Sequence, residues 1–449
     1  MPDPHKLPSP QAFPSFRRAA LGLFVGVTAA AWFGWDLQAE RHFVDESAYV
    51  AQSSYGDLYL AGRWDHPAWL EYAAYDLPPL PKYLIGVALW GGGYRRPDLD
   101  SARRWYGTGL KSEFAGTPQL IVARRPAVVL GALGCVAIFG IGTRSAGPAA
   151  GWLAAVLLAV NPLYRMHARR AMSDVPAEAF LLVALALGLS LWLRAARGAC
   201  AGRWWLTVGM AGAAVGLATL SKLNGVLGGL VLGGWVGLAL ASRRFPRRAV
   251  WALGGATAVA AAVAFGTFVA LNPYLTARPP GPAGPAIAPE AAKSFAGRVG
   301  TVYDHRAAVS RLAMASFPHN ALPSLADRAS AVAVQGFGRF GPLGPRGWTD
   351  STIRYDWRQD WGAVAWGPLV ALALGVLALR GGRDFSAGRP PVAWLPVAYF
   401  VVVVAVVTPF IPLAWDRYFL AIQAPAALAV ACAAGLLLDR RPTPAEDQG

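Results

Sequence analysis

The chain has 449 residues, 55% of them hydrophobic and 15% charged, with a mean hydropathy of +0.37. A soluble globular chain carries roughly 25% charged residues, so this composition, with its apolar residues gathered in long blocks, excludes a disordered chain, a disulfide scaffold and an ordinary cytosolic enzyme. The formal charge of +16 is the excess of Lys and Arg that orients short loops at a membrane, so no nucleic-acid partner is expected.

A helix needs about 20 mainly apolar residues to cross the hydrocarbon core. Stretches of that length, or nearly so, begin near Ala19, Arg124, Ala149, Asp174, Trp204, Asn224, Ala249, Trp361, Val392 and Tyr418. They predict an all-α polytopic membrane protein with ten transmembrane helices, the third (Ala149 to Leu163) and the fifth being short. The first stretch follows Arg17 and Arg18 and runs to Trp35 with no clear small-residue cleavage site after it, which favours an uncleaved anchor over a signal peptide. With the N-terminus inside, both termini are cytoplasmic. The inside segments then collect Lys6, Arg144, the RRFPRR turn at Arg243 to Arg248, Arg380, Arg383, Arg440 and Arg441, as the positive-inside rule requires.

Two long polar segments are left outside, residues 37 to 121 and 272 to 360, and are expected to form a cap over a cavity at the outer leaflet. The chain thus divides into 1–271, an N-terminal catalytic region that includes the first external loop; 272–360, the second external segment; and 361–449, the C-terminal helices with a short cytoplasmic tail. Cys135, Cys200 and Cys432 lie in or beside apolar stretches at no metal-ligand spacing and serve packing.

Four polar motifs interrupt this pattern. In FVDESAYV, Asp45 and Glu46 follow the first helix among apolar and aromatic neighbours, where a partly buried carboxylate is suited to general-base work. In NPLYRMHARRAMSDVPAEAF, Arg169 and Arg170 sit in a short loop whose charge runs against the bias of the other loops. Clustered guanidiniums there suit a phosphate, through paired charge-assisted hydrogen bonds, or else lipid headgroups. Asp174 and Glu178 share one face of the helix that follows, and ionisable groups in a membrane helix tend to face a cavity or a partner. In YDLPPLPKYLIG, Lys82 follows a rigid proline turn. Its stretch has too few apolar residues to span, so it lies in or re-enters the interface. AWDRYFL brings Arg417 beside Asp416, and LATLSKLNG brings Lys222 to an external helix end. The six histidines show no zinc spacing and no GxxxxGK[ST] loop is present, so neither a zinc hydrolase nor an ATP-driven pump is supported.

These features, in this order, resemble the GT-C glycosyltransferases that use a polyprenyl-phosphate-linked sugar, in particular the protein O-mannosyltransferases of family 39 and the bacterial lipid A aminoarabinose transferases. The resemblance runs over residues 16 to 240 and resumes at 361 to 438. Asp45-Glu46 resembles the acidic pair of the first external loop, and PPLPK resembles HPPLGK, with Leu77 in place of histidine and Pro81 in place of glycine. RRAMSD, GLATLSKLNG and AWDRYFL resemble the family's arginine-to-aspartate, GLAxxxK and RYxLP elements, the last without its proline. No MIR domain is present.

The resemblance implies an inverting transfer of sugar from a polyprenyl-phosphate donor to an acceptor hydroxyl of a lipid, protein or glycan, on the external side of the inner (plasma) membrane. Asp45 is then the expected base, with Glu46 beside it orienting it or helping to hold a divalent metal ion, the one cofactor considered. Lys82, Arg169, Arg170 and Arg417 are expected at the donor phosphate, and Asp174, Glu178 and Lys222 in support. The alternatives are an ion- or proton-coupled transporter or flippase, in which Asp174, Glu178 and Lys222 line the path, and an inactive membrane scaffold.

Overall fold

The computed structural model describes residues 15–94, 117–281, 283–343 and 361–438. Among these the fold is all-α, with a single isolated antiparallel bridge between Ala321 and Leu413 as its only β pairing. Lys6, Arg440, Arg441 and the distal part of the first external segment lie outside the described residues.

Helices stand at all ten anticipated positions. The first, α1 (Ser15–Gly34), leads into three short helices, α2 (Val44–Ala51), α3 (Ser54–Leu60) and α4 (Tyr72–Asp76), and then α5 (Pro79–Gly91). Prolines at the first helical turn, where the missing N–H costs nothing, open α5 and also α6 (Pro118–Ala146), α7 (Pro148–Val160) and α8 (Pro162–Ala168). The bundle continues with α9 (Asp174–Ala196), α10 (Trp204–Ser221), α11 (Leu227–Ser242) and α12 (Arg247–Ala270). The second polar segment holds α13 (Phe295–Ser316) and α14 (Leu325–Ala331), and the chain closes with α15 (Trp361–Ser386), α16 (Trp394–Val407) and α17 (Leu420–Leu438).

Seven helices among the described residues are long and apolar enough to cross a membrane, α7 and α8 together make an eighth candidate, and α1 and α16 are shorter apolar helices. This is a multi-pass membrane protein. The third stretch, expected to run straight to Leu163, instead bends by 69° between α7 and α8. Pro162 cannot continue the hydrogen-bond ladder, and the Asn161 side chain restarts it by accepting from the Tyr164 N–H at 3.0 Å. The stretch expected as a loop is therefore largely the short helix α8. Asn161 also donates to the Gln423 side chain at 3.0 Å and to the Phe340 carbonyl at 3.3 Å, which ties the bend to α17.

The last helix is the innermost. Residues Leu420 to Ala433 of α17 are buried throughout, packed among α6, α7, α15 and α16. Glycine sets the closest approaches elsewhere. A Cβ on Gly134 would stand 2.1 Å from the Tyr164 hydroxyl, and one on Gly212 only 2.4 Å from the Ala260 carbonyl oxygen, which fixes the spacing of α6 to α8 and of α10 to α12. The two polar segments pack on each other near the ends of α10 and α12. The Arg278 N–H donates to Asp65, His305 of α13 meets Asp76 of α4 at 3.2 Å, and Tyr75 lies against Tyr274.

Candidate active site

The α2 helix begins at Val44, so Asp45 and Glu46 fall in its first turn, where acidic groups are favoured by the exposed N–H ends. They serve different ends. Glu46 is fully buried, and its two oxygens accept four hydrogen bonds: from Arg124 Nε and Nη2 at 2.8 Å each, from the Phe43 N–H at 2.9 Å and from the Ala171 N–H at 2.8 Å. Glu46 was expected to orient Asp45 or help hold a divalent cation; its contacts here are with Arg124 and two backbone N–H groups. Its lone pairs are committed to joining α2, α6 and the Arg170–Ala171 turn.

Asp45 is turned outward, with its side chain 31% exposed and Oδ2 at 2.5 Å from Arg417 Nη1. Its other oxygen takes no hydrogen bond among the described residues. Arg417 reaches Asp174 Oδ2 at 3.6 Å, and Lys222 donates to Asp174 Oδ1 at 2.6 Å. Asp45, Arg417, Asp174 and Lys222 therefore form one alternating row of charges drawn from four separated parts of the chain. Burial alone would lower the Arg417 pKa, but Asp174 and Asp45 more than reverse that and hold the guanidinium charged. Beside the row, burial raises the Tyr49 phenol above its ordinary value, with a Ser173 hydrogen bond and Arg417 opposing the rise. Tyr49 is thus a neutral donor.

A small cavity borders this row, lined by Asp174, Glu178, Lys222, Asn224 and Arg417. Glu178 faces it and accepts a hydrogen bond from the Tyr399 hydroxyl at 3.4 Å. Arg170 lies at the other side, bonded to Glu40 at 3.2 Å, 3.9 Å from Asp416, and stacked over Phe43. His167 sits between Asp174 and Asp416, at 3.9 and 3.8 Å, with neither ring nitrogen hydrogen-bonded.

Two other expected phosphate ligands are occupied elsewhere. Arg169 donates to the carbonyls of Phe33, Trp35 and Asp36 and to Glu40, which makes it a clamp on the end of α1. Lys82 is buried under α4. Its ammonium donates to the carbonyls of Ala73 at 2.6 Å and Ala74 at 3.1 Å, and faces the Tyr55 ring. Burial brings its pKa down to about 7, with Asp76 opposing. Pro81, where the resembled motif has glycine, stiffens the first turn of α5 that carries Lys82. Among the described residues no group of three or more His, Cys, Asp and Glu side chains is arranged to hold a metal ion.

Sequence reasoning passed over Arg124, Glu40 and Arg306. Arg124 was visible as a cation at the start of an apolar stretch, and Glu40 as an acid two residues before His42. Their partners lie 78 and about 130 residues away, and no spacing rule links them.

Two solved structures share this architecture. ArnT from Cupriavidus metallidurans bound to undecaprenyl phosphate aligns over 95% of this chain and 61% of its own, with 18% identity and a TM-score of 0.53. The oligosaccharyltransferase from Archaeoglobus fulgidus in complex with Zn and sulfate aligns over 94% of this chain and 49% of its own, with 13% identity and a TM-score of 0.51. The chain thus spans about half to three-fifths the length of these two proteins. It is a polytopic membrane protein with the GT-C glycosyltransferase fold. Within that fold, residues 110–267, covering α6 to most of α12, match the dolichyl-phosphate-mannose-protein mannosyltransferase family. No curated protein sequence matches the chain.

Proposed function

We propose that this chain is a glycosyltransferase that moves a sugar from a polyprenyl-phosphate donor to an acceptor hydroxyl at the external face of the inner (plasma) membrane, with inversion. The observation that carries the reading is Asp45. It is a half-exposed carboxylate with one oxygen paired to Arg417 and the other unengaged, at the edge of a buried row of cations and acids. ArnT, which shares the fold, holds undecaprenyl phosphate, and that supports a lipid-phosphate donor here.

Asp45 takes the proton from the acceptor hydroxyl as its oxygen attacks the anomeric carbon. The bond from that carbon to the phosphate oxygen breaks, and its electron pair leaves with the lipid phosphate. This leaving group is already a stabilised anion, so a single base suffices and no acid catalyst is needed. Arg417, Lys222 and Arg170 face the charge that grows on the phosphate, the kind of fixed electrostatic support that is worth most in a dry site. Asp174 and Glu178 position those cations.

The test supplies purified protein with radiolabelled polyprenyl-phosphate sugars and a membrane extract. Transfer of label to an extract component is the expected result. Absence of both transfer and sugar release with every donor would refute the reading.

A further inference from the structure

A second cavity lies beside the first. Tyr75, Pro78, Thr219, Leu223, Asn272 and Arg306 are among its walls. Leu223 stands between Lys222 and Asn224, which line the first cavity, so one turn of chain separates the two. Arg306 comes from α13 and reaches this space from above the bundle. Its charge acts on Tyr49 and Tyr418, which lie beside the Asp45–Arg417 pair, and on Lys82.

Charge balance gives Arg306 its meaning. Around Asp45, the cations Arg169, Arg170, Lys222 and Arg417 are matched by the acids Glu40, Asp45, Asp174 and Asp416. Those eight ion-paired groups balance as they stand. A phosphodiester entering among them brings a further negative charge, and a charge moved out of water without a counter-charge is expensive. The demand rises during transfer, because the departing lipid phosphate gains the electron pair of the broken bond. Three cations line the two cavities. Lys222 and Arg417 already hold acids, whereas Arg306, half-buried, has no ion pair or hydrogen bond among the described residues. Lys82, the other cation nearby, spends its ammonium on two carbonyls.

We propose that Arg306 is an anion-binding residue that meets the phosphate of the lipid-linked donor, an inference that rests on the glycosyl-transfer reading above. A planar guanidinium offers paired donors to a phosphate. It also gives the second external segment a direct part in the site, since α13 would be drawn toward the donor when the phosphate arrives.

The full-length protein in nanodiscs is titrated with polyprenyl phosphate and, separately, with the uncharged polyprenol of the same length. The wild type is expected to prefer the phosphate. Arg306→Gln should lose about ten- to a hundredfold of that preference while keeping its affinity for polyprenol, and Arg306→Lys should retain part of it. A wild type that does not discriminate overturns the glycosyl-transfer reading and this inference with it. A discriminating wild type with an Arg306→Gln variant that discriminates equally overturns Arg306 alone, and leaves the reading standing. Should Arg306→Gln fail to fold, Arg306→Lys decides: a preference equal to the wild type at unchanged polyprenol affinity would argue against paired-donor recognition.

Discussion

Replacing Glu46 by alanine removes one carboxylate and strands one arginine. Arg124 is 1% exposed, and after the change its guanidinium keeps only the carbonyls of Leu37, Glu40 and Arg41. The N–H groups of Phe43 and Ala171 lose their acceptor at the same time. Breaking a buried ion pair from one side costs about 3–5 kcal/mol, chiefly through the charge left behind. Arg124→Leu should cost at least as much, because it also strips three carbonyls of their donor. In the double variant no charge is left uncompensated, so its loss should fall short of the sum of the singles by about 0.5–3 kcal/mol. Equilibrium unfolding in detergent micelles, followed by tryptophan fluorescence, measures all four states. Additive losses would refute the anchor assignment. So would a Glu46→Ala protein of wild-type stability that has lost turnover, since Glu46 would then be a reacting group.

Asp45→Asn keeps the shape of the side chain and removes the proposed base, so turnover should fall by about 10² to 10⁴, with donor affinity unchanged in a direct binding assay. Near-normal turnover would move the base elsewhere, to Asp174 first. For Lys82, the folded chain gives up the proton near pH 7 while the unfolded chain holds it to the ordinary lysine range. Between those limits the unfolded state binds more protons, so stability from this site rises with pH by up to about 1.4 kcal/mol per unit. Lys82→Met should remove that rise, and a slope of opposite sign in the wild type would show that Lys82 is not buried as described. Gly212→Ala pushes a Cβ to 2.4 Å from the Ala260 carbonyl oxygen and 2.9 Å from its Cα, an overpacking that typically costs about 1–3 kcal/mol. Gly209→Ala, on the same helix with nothing within 4 Å, is the control and should be neutral or mildly stabilising in the same unfolding assay.

The helices were legible because the bilayer imposes a length and a composition that seven of the stretches satisfy alone and the others approach. The Asn161–Pro162 pair carries a local cap signal, but the tie that fixes the bend against the last helix runs from Asn161 to Gln423, 262 residues away. The candidate site divides the same way. Asp45, Asp174, Lys222 and Arg417 stood out because charges are rare in such a chain, but rarity does not say which charge is spent on structure. Glu46 and Asp45 are adjacent in sequence and opposite in surroundings, and only the positions of Arg124 and Arg417 separate them. Arg306 was invisible for the converse reason. It lies in a polar helix among other charges, where a cation attracts no notice until its lack of a partner is seen.

The pairing of Asp45 with Arg417 spans 372 residues, and it sets the order in which this protein can be completed. Chains grow from the N-terminus at about 5–20 residues per second. The ribosome therefore releases Asp45 roughly twenty to seventy seconds before Arg417 exists. Once Lys222 has been made, Asp174 can pair with it, but Arg417 and the groove-filling α17 are still to come. The early helices must wait beside one another without closing, because the piece they close around is made last. A chain that stops short of Arg417 lacks both the helix buried at the centre of the bundle and the cation that pairs with Asp45.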